Sequence, residues 1–273
     1  MAGGETIAEI DKPTLVTRII RVVVKRYRRY KRKFPYYARK LARQLRFTLP
    51  VLIRHGFRSG RVPKLIALTV STNYSDLLSL TVKENAGQFD HWVVVTQEND
   101  HATRNVLAGQ PDTTVLFWDP FVDGRAFDKG SALRLAQQWA YERYPNCWYL
   151  IIDSDIALPR NFSEVRAGLS NLPRWRVFGA MRTDYHRYSD FLAQQGGVPY
   201  TTSDEIVGYF QLYSLPLKTE QSYDASWLDI DFRDLFFRAE LLDNFSLSHF
   251  GVKTKNWQGR SPRNEFEIDA LGR

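Results

Sequence analysis

Residues 64–71, KLIALTVS, are apolar almost without a break and rich in β-branched side chains. A short run with no polar alternation predicts a strand buried on both faces. The pattern returns in FDHWVVVTQ (89–97), TTVLFWD (113–119) and CWYLIID (147–153), and later in WRVFGAM (175–181) and IVGYFQLY (206–213). Between these runs the period changes. DLLSLTVKENAG (76–87) has helical spacing and ends at Gly87, a suitable C-cap. KGSALRLAQQWAYERY (129–144) sets Leu133, Ala136, Ala140 and Tyr144 on one face, and Pro145 stops it. A further helix is expected from Asn161. Strands alternating with helices imply an α/β domain, with a mainly parallel sheet covered by helices on both faces. No repeat and no low-complexity tract interrupts it.

The chain ahead of the first strand follows another pattern. In TLVTRIIRVVVKRYRRYKRKFPYYARKLARQLRFTLPVLIRHGFRSGRVPK (14–64), Leu15, Ile19, Val22, Val23 and Tyr30 fall near helical spacing, interrupted by Arg26. Pro35 and Pro50 divide the segment into helical pieces, and the stretch around Gly60 and Pro63 reads as a linker. Two units follow: a basic amphipathic arm over 1–63 and a domain over 64–273.

Charge sharpens that division. The chain has a net charge of +8, yet residues 12–64 hold 18 lysines and arginines and no acid. Residues 65–273 hold 20 basic and 27 acidic residues, so the domain is net negative. A basic amphipathic helix edged with Tyr and Phe suits an anionic membrane surface. The same composition suits packing on the acidic domain, a homo-oligomer contact or, less well, nucleic acid. A single cysteine, Cys147, excludes an internal disulfide and a cysteine-based zinc site. No apolar run approaches the roughly 20 residues that span a bilayer, and IIRVVVK is too short and too charged for a secretory signal. The expectation is a cytoplasmic protein, peripheral on the membrane.

The chemistry concentrates where the fourth strand ends. WYLIIDSDIALP (148–159) passes from apolar residues into Asp153-Ser154-Asp155. Ligands of α/β sheets bind beyond the carboxyl ends of strands. Residues i and i+2 of a strand point the same way, so Asp153 and Asp155 can converge on one divalent cation, Mg²⁺ or Mn²⁺, that also takes phosphate oxygens. The alternative is two solvated aspartates in a turn. Other residues fall at neighbouring ends. Thr69, Ser71 and Asn73 end the first strand, where small polar groups can hold a nucleoside. Gln97 and Glu98 end the second and can read a base or ribose. Lys129 and Gly130 begin a helix, whose amide end attracts phosphate. In SHFGVKTKNWQGR (248–260), His249 is a metal ligand or a packed histidine, Lys253, Lys255 and Arg260 can hold phosphate, and Trp257 can form a wall. His55, His91, His101 and His186 have no comparable context.

A strand-terminal D-x-D, a preceding Lys-Gly helix start and a downstream His before a basic loop resemble the GT-A-fold glycosyltransferases, and within them the family-2-like group. The resemblance covers roughly 64–260 and lies in motif order. It implies a Rossmann-like mixed sheet flanked by helices, and a sugar nucleotide diphosphate as donor with Mn²⁺ or Mg²⁺. It further implies Asp155 as direct metal ligand, Asp153 as ribose or metal contact, His249 as late metal ligand and Lys129 as nucleotide contact. The family's E-D-x-D motif before a helix, source of its general base, is similar to SWLDIDFRDLFFRAELL (226–242), with Asp229 and Asp231 in place and Leu228 where the glutamate would be. Asp229 reads equally as a helix N-cap. The resemblance implies inversion at the anomeric carbon and a glycan or lipid-linked acceptor.

Three rivals are weaker. A haloacid-dehalogenase-like phosphatase also uses D-x-D, but early in the chain and with Thr or Val where Ala157 stands. A nucleotidyltransferase shares much of the sheet, but ALTVSTNYS lacks its glycine-rich arginine loop. A non-enzymatic basic-arm scaffold or nucleic-acid protein remains as the third.

Overall fold

The computed structural model describes residues 34–56, 63–119, 121, 127–200, 208–219 and 225–251. Four parallel strands form half of a mixed sheet: β1 (Leu65–Val70), β2 (His91–Thr96), β3 (Thr113–Phe117) and β4 (Trp148–Ile152). Beyond β4 the sheet continues through β8 (Phe210–Tyr213), β6 (Arg176–Tyr185), β9 (Arg238–Phe250) and the two-residue β5 (Ile156–Ala157). β7 (Val198–Pro199) pairs with β6. Among the described residues the order is β3-β2-β1-β4-β8-β6-β9-β5. β8 runs antiparallel to β4 and β6, and β9 parallel to β6.

The central strands are buried on both faces, as their unbroken apolar runs predict. Leu65, Ala67, Trp92, Val94, Trp148 and Leu150 face one core, under α3 (Ser75–Asn85), α4 (His101–Leu107) and α6 (Phe162–Gly168). Ile66, Leu68, Val93, Val95, Tyr149 and Ile151 face the other, where α5 (Lys129–Arg143) supplies Ala132, Leu133, Ala136 and Ala140. The remaining helices are α1 (Phe34–Arg43), α2 (Leu49–His55), α7 (Tyr188–Ala193) and α8 (Ala225–Arg233).

Two expectations are corrected. The sheet is less parallel than the strand–helix rhythm implied, because everything after β4 enters through antiparallel pairs with β8. The helix expected to follow Asp229 and Asp231 instead contains them and ends at Arg233, and 238–250 is the longest strand described. Asp234 and the aromatic pair Phe236-Phe237 lie at this change of period.

The described part of the basic arm packs on the domain. A π-helical turn (Gln44–Thr48) joins α1 to α2. Lys40 Nζ lies 2.6 Å from Asp234 Oδ1, Tyr36 donates its hydroxyl to the same carboxylate, and Arg43 pairs with Asp231 at 2.9 Å. Gln44 donates to the carbonyls of Asp234 and Phe236, and Thr48 to that of Leu235. These carbonyls follow the end of α8, where a helix leaves acceptors unsatisfied and favours positive charge. Leu52 is fully buried and belongs to the same core cluster as Phe232 and Phe236. Among the described residues no helix is long and apolar enough to cross a membrane.

Candidate active site

β4 delivers Asp153 to the carboxyl edge of the sheet, and the chain turns at once. Ile156 N–H closes the turn onto the Asp153 carbonyl (3.2 Å), and β5 then pairs antiparallel with β9, setting Ile156 opposite His249. Phe250 N–H donates to the Asp155 carbonyl (2.9 Å), so the second aspartate is fastened to β9 through the main chain. From behind, α3 clamps the same loop. Thr81 donates to the Ser154 carbonyl, and the Asn85 amide bonds the carbonyl of Ile156 and the N–H of Leu158. Thr81 and Asn85 read in sequence as ordinary helix residues; burial turns them into braces.

Asp155, Asp184 and His249 are buried together. Asp184 and His249 are register partners in the parallel pair β6/β9, which brings His249 Nδ1 within 3.0 Å of Asp184 Oδ1. The other ring nitrogen, Nε2, faces Asp155 Oδ2 at 3.4 Å. Burial pulls the imidazole pKa down, but Asp155 and then Asp184 outweigh it and lift it to about 9. Arg182 pairs with Asp184 at 2.9 Å and lies between the Tyr200 and Tyr209 rings, 4.1 and 4.7 Å from their centroids.

A second group adjoins the first. Lys129, the first residue of α5, follows Asp128, whose side chain caps the helix on Ser131 N–H. Its Nζ lies 2.7 Å from Asp153 and 3.9 Å from Asp229. Burial would lower the lysine pKa; the two carboxylates more than reverse this and keep it protonated. Asp153 is raised by burial, with Asp155 adding to the effect and Lys129 opposing it. Asp229 is buried in the middle of α8, which excludes the N-cap reading. Burial lifts it to about 6 against the pull of Lys129. The Gly208 N–H bonds the Asp229 carboxylate, and the Gly208 backbone passes so close that a Cβ there would overlap it.

Asp153, Asp155, Lys129, Asp229 and His249 are thus gathered at one place. Asp231 is not. Two residues along a helix turn about 200°, so Asp231 faces the arm and pairs with Arg43, half exposed. Thr69 is fully buried and staples the sheet, donating to Ile152 O and accepting from Trp92 Nε1. Ser71 and Thr72, just after β1, are buried with hydroxyls that have no hydrogen-bond partner among the described residues. Asn73 is exposed with φ of 60°, its N–H held by Asp100 at 2.8 Å. Glu98 is exposed, and Gln97 bonds Asp119. Lys253, Lys255, Trp257 and Arg260 lie outside the described residues.

Three residues escaped the sequence reading. Asp184 orients His249, and its only trace was the Arg182-x-Asp184 alternation in a strand. GYFQLY (208–213) reads in sequence as shaping the acceptor side, but the role of Gly208, a close approach between distant segments, has no signal there. Asp100 caps α4 on Thr103 N–H and also accepts from Thr96 and Asn73, tying β1 to β2. Burial raises its pKa, and these bonds together outweigh that and hold it below the ordinary value.

The donor set bears on a divalent ion. Among the described residues no group of three or more His, Cys, Asp or Glu is arranged to hold a metal by itself. Asp155 and His249 offer two donors, and 3.4 Å is close to the spacing of adjacent ligands on one ion with bonds of about 2.0–2.2 Å. A histidine whose far nitrogen bonds a carboxylate is the usual form of a ligating imidazole. Two protein donors suit a hard ion that takes its other ligands from phosphate and water.

No protein-family model matches the chain, and no curated protein matches it in sequence. Among solved structures, it is similar to the 4-diphosphocytidyl-2C-methyl-D-erythritol synthase of Anaerococcus prevotii DSM 20548. The TM-score is 0.41 and the identity 10%, over 66% of this chain and 87% of that one. Function is therefore argued from the site's own residues.

Proposed function

We propose that this site transfers a sugar from a nucleotide-diphosphate donor to an acceptor hydroxyl on a glycan or lipid-linked acceptor, with a divalent cation, Mn²⁺ or Mg²⁺, on the diphosphate. The observation that carries the reading is the pairing of two buried groups at one strand end: Asp155 with His249, and Lys129 with Asp153 and Asp229. Asp155 and His249 would hold the ion, with Asp153 beside them; bound there, it would neutralise charge on the leaving diphosphate. Lys129 places a fixed positive charge beside it, stabilising the same developing charge. The unpartnered hydroxyls of Ser71 and Thr72 suit a nucleoside at the neighbouring strand end.

Asp229 suits the general base. Its raised pKa lets it accept a proton near neutrality, whereas an ordinary aspartate would be too weak a base. The acceptor oxygen bonds the anomeric carbon as its proton passes to Asp229. The bond from that carbon to the phosphate oxygen breaks, and a nucleoside diphosphate leaves.

The test is thermal unfolding of the full chain with Mn²⁺ and a panel of UDP-, GDP- and dTDP-sugars. One donor at 100 times its dissociation constant should stabilise by about 2.7 kcal/mol. Asp155→Ala should lose the shift while unfolding cooperatively. No shift with any donor, or an undiminished shift in Asp155→Ala, overturns the reading. Release of pyrophosphate from a nucleoside triphosphate supplied with a sugar phosphate would indicate nucleotidyl transfer instead.

A further inference from the structure

The two sides of residues 34–56 have opposite chemistry. The inner side is fixed to the domain through Lys40, Arg43, Gln44, Thr48 and Leu52. At the far end, Arg174 donates to the His55 carbonyl at 2.9 Å, so both ends of the segment are anchored. The outer side is apolar and basic. Ile53 is 64% exposed, Leu45 44% and Phe47 39%, and Arg39, Arg46 and Arg54 are exposed among them. The π turn contributes to this. It leaves Leu45, Arg46 and Phe47 consecutively exposed between the buried Gln44 and Thr48.

We propose that this outer side docks on an anionic lipid surface, with Leu45, Phe47 and Ile53 entering the headgroup boundary and Arg39, Arg46 and Arg54 meeting lipid phosphates. Exposed leucine and isoleucine gain little against nucleic acid, whose bases stack on flat rings. Phe47, the one ring among the three, already carries the Arg46 guanidinium 5.1 Å from its centroid. Lipid answers both halves of the surface: hydrocarbon for the aliphatic side chains and phosphate for the arginines. No acidic residue between 12 and 64 opposes that approach. Because the segment is anchored to the domain, docking would hold the domain at the surface.

Co-sedimentation of the full chain with neutral and anionic phospholipid vesicles, at two salt concentrations and without nucleotide, tests this independently of glycosyl transfer. Binding is expected to anionic vesicles only, weakened by salt. The exposed-side variant Phe47→Glu with Ile53→Glu should lower the affinity at least about tenfold while keeping the wild-type melting temperature. Equal pelleting with both lipids, or with neither, overturns the proposal. So does anionic binding that this variant leaves unchanged, which would move the contact to residues 12–33. A nucleic-acid mobility shift without vesicle binding would assign the basic surface to nucleic acid.

Discussion

Asp229 is held by a glycine. Gly208 places its N–H on the carboxylate and has no room for a side chain there. Gly208→Ala should therefore push Asp229 aside and cost about 1–3 kcal/mol, the usual penalty of overpacking. Denaturant unfolding measures the cost, and an unchanged midpoint would show that the close approach is relieved cheaply. The charge of Asp229 gives a second prediction. Its pKa is raised to about 6 by burial, and a general base at this position would work in the ionised form. Transfer should rise with pH through about 6 and level off above. Asp229→Asn should lose that limb together with some 10²–10⁴-fold of rate. A variant that keeps both the rate and the rise would move the base elsewhere. At this scale the sequence was legible wherever a residue is placed by its own strand end or helix start, as Asp153, Asp155 and Lys129 are. It was silent on Gly208 and Asp184, whose roles exist only across strand pairings far apart in the chain.

The elements were legible where one period holds from end to end. β1, β2 and β4 are buried on both faces and read as such. β9 failed because it begins directly after α8, and the alternation in RAELLDNFSLSHF is weak on its half-exposed side. His249 was thus found by its residue type, without the strand that places it beside Asp184. The helical spacing read at Leu15–Tyr30 lies outside the described residues, and which side α1 and α2 bury depends on Asp231 and Asp234, acids some 190 residues away. Asp234 makes that docking sensitive to pH. Burial raises its pKa, but Lys40 and Tyr36 outweigh this and hold it below the ordinary value. A depressed carboxylate stabilises fully above its unfolded pKa of about 3.9, and the contribution disappears as pH falls through the folded value. Amide exchange across 34–56 should accelerate below about pH 4 before exchange in β1 and β4 does. Equal protection of arm and sheet at pH 3 would count against an ionic lock.

For the molecule as a whole, the uneven charge is partly a packing device. The described part of the basic segment joins a net acidic domain through α8 and the turn that follows. A chain beginning at Lys64 should therefore melt well below one beginning at Phe34. Removing 34–56 takes Leu52 out of the core it shares with Phe232 and Phe236, a burial of about 1.5–3 kcal/mol. It leaves the carbonyls of Asp234, Leu235 and Phe236 without the partners Gln44 and Thr48 supply, at about 1 kcal/mol each. It also strips Asp234, almost wholly buried, of its lysine. Together these losses are on the order of 5 kcal/mol, comparable with the whole stability of many domains. The chain from Lys64 should show a large fall in melting temperature, and Leu52→Ala in the full chain should reproduce part of it, about 2–5 kcal/mol. If the shorter chain melts with the full protein, the contacts of the arm do not hold the domain together. The basic segment would then serve its outer surface alone.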